Sequence, residues 1–413
     1  MTRAARFFRR WGHGERLRAS RQRRVALSVA LAITTVAGCL TRAGTTGAPQ
    51  PRARQPGASL SAAAAPAPSS RPAGFTLAIT GDLLIHEPIV DKARQWANGA
   101  GYDFRPAFAA VKPILSAADL AICHLETPLS RDDSDISYYP TFNVPHEIAP
   151  AAADAGFRSC TTASNHTIDK GLAGVQTTLN ALDAAGIAHV GAARSAEEAA
   201  TPKIYELGGV RVGHLDYTYG LNGQRLPASA PWIVKLIDPA QILADAKAVR
   251  AAGAQFVLVS MHWGEEYQAA PTAQQRSIAQ QLLASPDIDL VVGNHVHVVQ
   301  PVERIGPKYV VYGDGNFLAR HAPCCDTPQT RDGMIVQVTV EVQNGTPVVS
   351  RLGYTPTYVD PATVTILPVA RTLWDPHLSP ALRSDLEQSW QRTTATVDKL
   401  AAAAAGVVPT EQP

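Results

Sequence analysis

Three histidines, His262, His295 and His297, stand in two short segments, SMHWGEE (260–266) and VVGNHVHVVQ (291–300). Each segment follows an apolar run with the character of a buried strand, QFVLVSM and DIDLVVG. Histidines in glycine-marked loops at strand ends suit the way an α/β fold presents ligands at the mouth of its sheet. Neutral imidazole binds zinc, iron and other borderline ions. Three earlier segments repeat the pattern. FTLAITGDLLIH (75–86) ends in Asp82 and His86, DLAICHLETPLS (119–130) in His124 and Glu126, and FRSCTTASNHTIDKG (157–171) in Asn165, His166 and Asp169. A carboxylate such as Glu126 can bridge two ions and Asn165 can offer its amide oxygen. This mix of carboxylate, amide and imidazole is what two-metal hydrolases use, with ions about 3.5–4 Å apart. Taken singly, Asp82 reads equally as a turn residue and Asn165 as a helix cap. The ordered set is what points to a metal centre.

The elements that must position these loops alternate. FRSCTT, GLAGVQTTLNALDAAG and IAHVG read as strand, helix, strand, and so do QFVLVSM, AQQRSIAQQLLAS and IDLVVG. KIYELGGVRVGHLDY reads as a hairpin around Gly-Gly, so the sheets should be mixed. KYVVYG, GMIVQVTVEVQ and TPVVSRLGYTP add strands. The residues alone give a mixed α/β fold. Residues 361–413 hold a helical run, SPALRSDLEQSWQRTTATVDKLAAAAAG, whose packing partner is not legible, and a terminal VVPTEQP expected to fray.

GDLLIH, HLETPLS, ASNHTIDKG, HWGEEY, GNHVHVVQPVE and YGDGNF together resemble the CapA family of capsule-synthesis proteins, linked to poly-γ-glutamate. The resemblance runs from about residue 75 to about 358, and through that family to the calcineurin-like metallophosphatases. It implies a metallophosphatase-like four-layer α/β/β/α sandwich over residues 75–360. It also implies a ligand set. Asp82 would hold metal one, Glu126 would bridge, Asn165, His262 and His295 would hold metal two, and His297 would return to metal one. His166 would face the substrate as acid or anion contact, with Asp169 placed three residues on to orient its imidazole or to start a helix. The cofactors implied are two divalent ions, manganese, iron or zinc. The chain departs from the pattern in places. His86 lies four residues after Asp82 where phosphatases have Asp-x-His, and it enters the set as a further metal candidate. Glu126 replaces an Asp bridge, His124 stands where the family has Asn, and Val296 stands where Pro is common.

The function implied is metal-dependent hydrolysis, of a phosphoester or a γ-glutamyl amide, in synthesis, anchoring or processing of the capsule polymer. The alternatives are a non-catalytic assembly or export factor for an anionic surface polymer, acting with a polymer synthase, and a phosphoesterase with another small substrate. Glu265 and Glu266 are either supports for the ligand imidazoles or a solvated turn. His189, His214 and His321 read as structural, and Tyr217, Tyr219 and Trp263 as core or pocket lining. No P-loop, dinucleotide fingerprint or Gly-x-Ser-x-Gly elbow occurs.

The first 74 residues are a different material. A basic segment (1–24) and the uncharged apolar run VALSVALAITTVAG (25–38) have the shape of a secretory signal. Cys39 after Val-Ala-Gly resembles a lipoprotein box, so residues 1–39 are expected to direct export, with lipid on Cys39 tethering the protein to the membrane; the alternatives are an ordinary cleavage site with Cys39 unmodified, giving a secreted form, and an uncleaved signal-anchor. Residues 40–74, rich in Ala, Pro and Ser, read as a disordered linker. The whole chain carries 37 basic and 35 acidic residues; without its first 74 it keeps 24 and 34. The remaining part is therefore acidic, which disfavours nucleic acid as a partner. Five cysteines are few for 413 residues. Cys123 and Cys160 read as buried free thiols in apolar strands, and Cys324-Cys325 as a vicinal pair of open role.

Overall fold

The computed structural model describes residues 73–321 and 325–413. The signal segment, Cys39, nearly all of the linker and Cys324 lie outside the described residues. The strands in chain order are β1 (Gly74–Leu84), β2 (Leu120–Leu125), β3 (Phe157–Thr161) and β4 (Ala188–Val190). Next come β5 (Lys203–Leu207), β6 (Val210–Thr218), β7 (Phe256–His262), β8 (Leu290–Asn294), β9 (Val302–Ile305) and β10 (Lys308–Val311). The last are β11 (Asn316–Ala319), β12 (Asp332–Gln343), β13 (Thr346–Val359), β14 (Ile366–Pro368) and β15 (Val408–Pro409).

They form two mixed sheets. One runs β14-β13-β12-β1-β2-β3-β4, with β11 beside β1 and β15 beside β13; the other runs β5-β6-β7-β8-β10-β9. Side chains alternate across each strand, so each sheet has two apolar faces. On β1 and β2, Phe75, Leu77, Ile79, Leu120 and Ile122 share one core with Val210, Val212, Phe256 and Leu258 of the other sheet. The opposite faces bury against helices: Ala121 and Cys123 with Ile89, Ile148 and Leu179, and Val257, Val259 and Met261 with Ile242, Ala246 and Leu282. Helix, sheet, sheet and helix thus make the four layers expected. Among the described residues no helix is long and apolar enough to cross a membrane.

The expected hairpin is present as β5–β6, turning at Gly208 and Gly209, both at positive φ. A second hairpin, β12–β13, turns at Asn344-Gly345, again both positive, as a two-residue hairpin loop requires.

Two expectations fail. Cys123 and Cys160 are not free thiols: they form a disulfide, with Cα atoms 4.5 Å apart. Each looks like an ordinary apolar strand residue in sequence, and only the parallel β2–β3 register sets them side by side. The terminal segment does not fray either. Val408 and Pro409 pair with Gly353 and Tyr354 as β15, the Thr410 amide donates to the Tyr354 carbonyl at 2.9 Å, and Trp374 Nε1 donates to the Gln412 carbonyl at 3.1 Å. The helix Pro380–Val397 is tied to the same sheet by Arg392, whose guanidinium grips Asp332 at 2.7 and 2.9 Å.

Candidate metal centre

The ends of β1, β2, β7 and β8, with the loop after β3, meet at one edge of the sandwich. Asp82 sits where β1 leaves its pairing with β12 and takes up β11. The preceding Gly81 permits this approach, since a Cβ there would lie 1.8 Å from the Gly315 carbonyl oxygen. Glu126 follows β2 directly, His262 ends β7, and His295 and His297 follow β8. Both last histidines have positive φ, +96° and +58°. Such backbone costs about 1–3 kcal/mol per residue and is retained where something depends on it. Here it turns both imidazoles into the same centre.

The loop after β3 is held from behind. Asp216 on β6 accepts the amides of Thr162 and Ala163 at 2.9 and 2.8 Å. Gly191 packs against that carboxylate so closely that a Cβ would fall 2.1 Å from it. Burial pushes the Asp216 carboxyl up to about 8. The loop so fixed presents Asn165 and His166.

Six of the sequence-derived ligand candidates come together. His297 Nδ1 lies 3.1 Å from Asp82 Oδ2, and the His295 amide 3.4 Å from Asp82 Oδ1. His262 Nε2 lies 2.9 Å from Asn165 Oδ1. Glu126 Oε1 is 3.9 Å from both His262 Nε2 and His297 Nε2. That is too long for a hydrogen bond, but two atoms on one zinc-like ion, each about 2.0–2.2 Å from it, lie no more than about 4.3 Å apart. Two triads whose candidate ligand atoms lie within 4.8 Å of one another share Glu126: Asp82, Glu126 and His297, and Glu126, His262 and His295. Asp82, Glu126 and His262 are wholly buried. Both Glu126 oxygens, His262 Nδ1 and His295 Nδ1 have no hydrogen-bond partner. Buried polar atoms are rarely left so, because desolvation without compensation is costly. A carboxylate between imidazoles, all buried and facing one another, fits a divalent cation.

The electrostatics agree. Burial drives the Glu126 carboxyl well above its usual range, against the pull of His297. Burial also works to raise Asp82, but the hydrogen bond and charge of His297 outweigh it and hold Asp82 low. Burial and neighbouring imidazoles keep His262 far below its usual value and His295 down to about 3. His297 goes the other way: burial would lower it, but Glu126 and Asp82 raise it to about 9. Protons on Glu126 and His297 thus provide positive character where a cation would sit.

His86 does not join the set. Its ring lies edge-on to Phe142 at 5.6 Å and beside His321 at 4.9 Å, and it belongs to none of the potential ligand groups among the described residues. Four residues on from Asp82, it has already left the strand and stands as the N-cap of the helix Glu87–Trp96. His166 Nδ1 is 2.8 Å from Asp169 Oδ2, which also accepts the Phe142 amide at 2.8 Å.

Sequence reasoning left several neighbours out of the set. Asn222, in an Asn-Gly pair that reads only as a turn, accepts from Asn165 Nδ2 at 3.1 Å and lies 3.4 Å from His166 Nδ1. Asn316 Oδ1 lies 3.1 Å from His297 Nδ1, and its amide nitrogen donates to His321 at 3.0 Å. Asn316 is the Asn of YGDGNF, so the motif carried that signal. Tyr219 is half exposed and its ring covers His295 at 4.5 Å, whereas Tyr217 and Trp263 are core. Glu266 is exposed but forms a third group with His295 and His297.

The family model for the bacterial capsule synthesis protein PGA_cap matches residues 76–321. The chain belongs to this family. All the residues that meet in the centre fall inside the matched span. Among PGA_cap relatives, this chain is 26% identical over 279 residues to the capsule biosynthesis protein CapA of Bacillus anthracis, covering 66% of this chain and 65% of that protein. It is 28% identical over 270 residues to the PGA biosynthesis protein CapA of Bacillus subtilis, covering 62% and 66%. The match thus spans slightly less than two thirds of either relative. Among solved structures, the calcineurin-like phosphoesterase YfkN from Bacillus subtilis has a TM-score of 0.44 at 14% identity, covering 80% of this chain and all of that one. The NAD nucleotidase of Haemophilus influenzae has 0.43 at 13%, covering 81% and 67%.

Proposed function

We propose that this PGA_cap chain is a metal-dependent hydrolase that works outside the cell membrane on the capsule polymer or its precursors. The observation that carries this is the pair of ligand triads sharing the unpartnered, buried carboxylate of Glu126. Asp82, Glu126 and His297 would hold one divalent ion, and Glu126, Asn165, His262 and His295 the other. Such a pair, when bound, supplies a water of lowered pKa and a clamp for the oxygens of the reacting group.

The chain's own residues do the rest. Asn222 and Tyr219 brace Asn165 and His295 from the solvent side. Asp169 accepts the Nδ1 proton of His166 and so leaves Nε2 as the working nitrogen. When His166 is protonated, Asp169 backs the imidazolium, and Nε2 can give its proton to a leaving oxygen or nitrogen. Asp169 is a positioning residue in this scheme. The buried floor excludes bulk water from one side of the ligands. The Cys123–Cys160 disulfide supports a location outside the cytoplasm, where such bonds persist. The signal-like segment and Cys39 support the same location, with a lipid on Cys39 as the tether.

The test is direct. Full-length protein is stripped of metal, reloaded with manganese, iron or zinc, and assayed on a panel of phosphoesters and on poly-γ-glutamate, following chain length. Metal-dependent cleavage of either class is expected. Two bound ions with no turnover on any substrate would replace the hydrolase with a non-catalytic assembly factor.

A further inference from the structure

We propose that His124 is an additional metal ligand, and that it biases the centre toward borderline ions such as zinc over manganese. The inference rests on the metal-centre reading above and extends it to a residue outside that ligand set.

His124 lies on β2, two residues before Glu126, which follows the strand. It is 1% exposed. Its Nδ1 lies 2.8 Å from Thr161 Oγ1 on the neighbouring strand. The Thr161 hydroxyl has one hydrogen, and the Cys123 carbonyl, 3.3 Å away, is an acceptor for it. With that hydrogen on the carbonyl, Thr161 accepts from His124 and the imidazole carries its proton on Nδ1. Nε2 is then an unprotonated donor atom. It has no hydrogen-bond partner, and it lies 4.0 Å from Asp82 Oδ1. That spacing again exceeds a hydrogen bond and falls within the reach of two ligands on one ion. Asp82, His124 and His262 form a fourth triad, with candidate ligand atoms within 4.8 Å of one another. The His124 ring stacks on that of His262, with centroids 4.8 Å apart and planes 27° apart. A histidine whose far nitrogen is anchored and whose near nitrogen faces a carboxylate without touching it has the arrangement of a metal ligand with its outer support.

The consequence is selectivity. Manganese favours oxygen ligands, whereas imidazole suits zinc, iron and copper. A further imidazole beside Asp82 shifts the donor set in that direction.

A zinc-loaded crystal structure of the wild-type protein tests the assignment without any substitution. His124 Nε2 is expected about 2.0–2.1 Å from an ion; a separation above 3 Å from every ion in the centre overturns it. In solution, His124→Asn should weaken zinc binding by at least about tenfold, with a smaller effect on manganese, and Thr161→Val should weaken zinc in the same direction, as loss of outer support does. Competition against a chelating dye reads both, and the melting temperature of the metal-free forms shows whether the variants fold. Asp82→Asn separates the two readings. If Asp82→Asn loses zinc and folded His124→Asn does not, only the His124 assignment falls. If wild type and all variants bind no metal, the metal-centre reading falls as well.

Discussion

Two polar clusters in this molecule use similar residue types and differ in how their charges are met. Around Arg194, the guanidinium grips Asp183 and Glu198 and donates to Asn180 at 2.8 Å, while His189 lies 3.3 Å from Asp183. Every negative charge there has a cation within the protein, and the cluster borders a cavity of about 560 Å³. In the candidate metal centre, Asp82 and Glu126 face four imidazoles, and only His297 is held protonated by its neighbours. Glu126 has no partner for either oxygen. Charges met by the protein's own cations make a structural ion cluster, whereas an unpartnered buried carboxylate among imidazoles fits an ion.

Breaking the centre should have the largest effect. Glu126→Gln removes the shared ligand of both triads, so metal analysis after reloading should find bound ions falling from about two per chain to one or fewer. An unchanged count would mean that Glu126 bridges nothing. His166→Ala should leave the ion count at the wild-type value while lowering the hydrolytic rate by about 10²–10⁴-fold, the range of general acid–base groups. Parallel metal and rate measurements separate the two roles, and an unchanged rate would remove His166 as proton donor.

The next effect is a pH dependence. The metal-free centre holds a proton on His297 up to about pH 9 and favours one on Glu126. Both must leave before the ligands bind, so apparent metal affinity should rise with pH across the neutral range, by up to about tenfold per pH unit for each proton released, and level off above about 9. Titrations at several pH values check this; affinity that is flat or falls with pH would contradict the proton-for-metal exchange. The smallest effect belongs to the paired cluster. Arg194→Ala should cost about 1 kcal/mol, or roughly 2 °C in melting temperature, because its ion pairs are partly solvated. Metal content should not change. A loss of metal in that variant would show the two clusters to be coupled.

Much of the candidate centre was legible because its ligand-type residues obey a local rule. Asp82, Glu126, Asn165, His262, His295 and His297 each follow a strand-like apolar run, and parallel strands deliver their C-terminal ends to one edge. His86 misled because spacing along the chain ignores where the strand stops: the helix start at residue 87 carries it away. Asn222 escaped notice because a turn residue has no sequence mark for what its amide will reach. His124 was visible as a strand-end histidine, but its anchoring to Thr161 depends on the neighbouring strand.

By itself the sequence determined the alternation of strands and helices, the inward and outward faces of each strand, and the chemical types offered at the strand ends. Those follow from short-range periodicity and from side-chain chemistry. Tertiary structure decided what depends on register between distant segments. It put Cys123 beside Cys160, joined the last residues to β13, and sealed the site behind Asp216. It also left Glu126 buried with nothing to bond, because the surrounding strands take it out of water and bring only other ligand-type side chains to meet it.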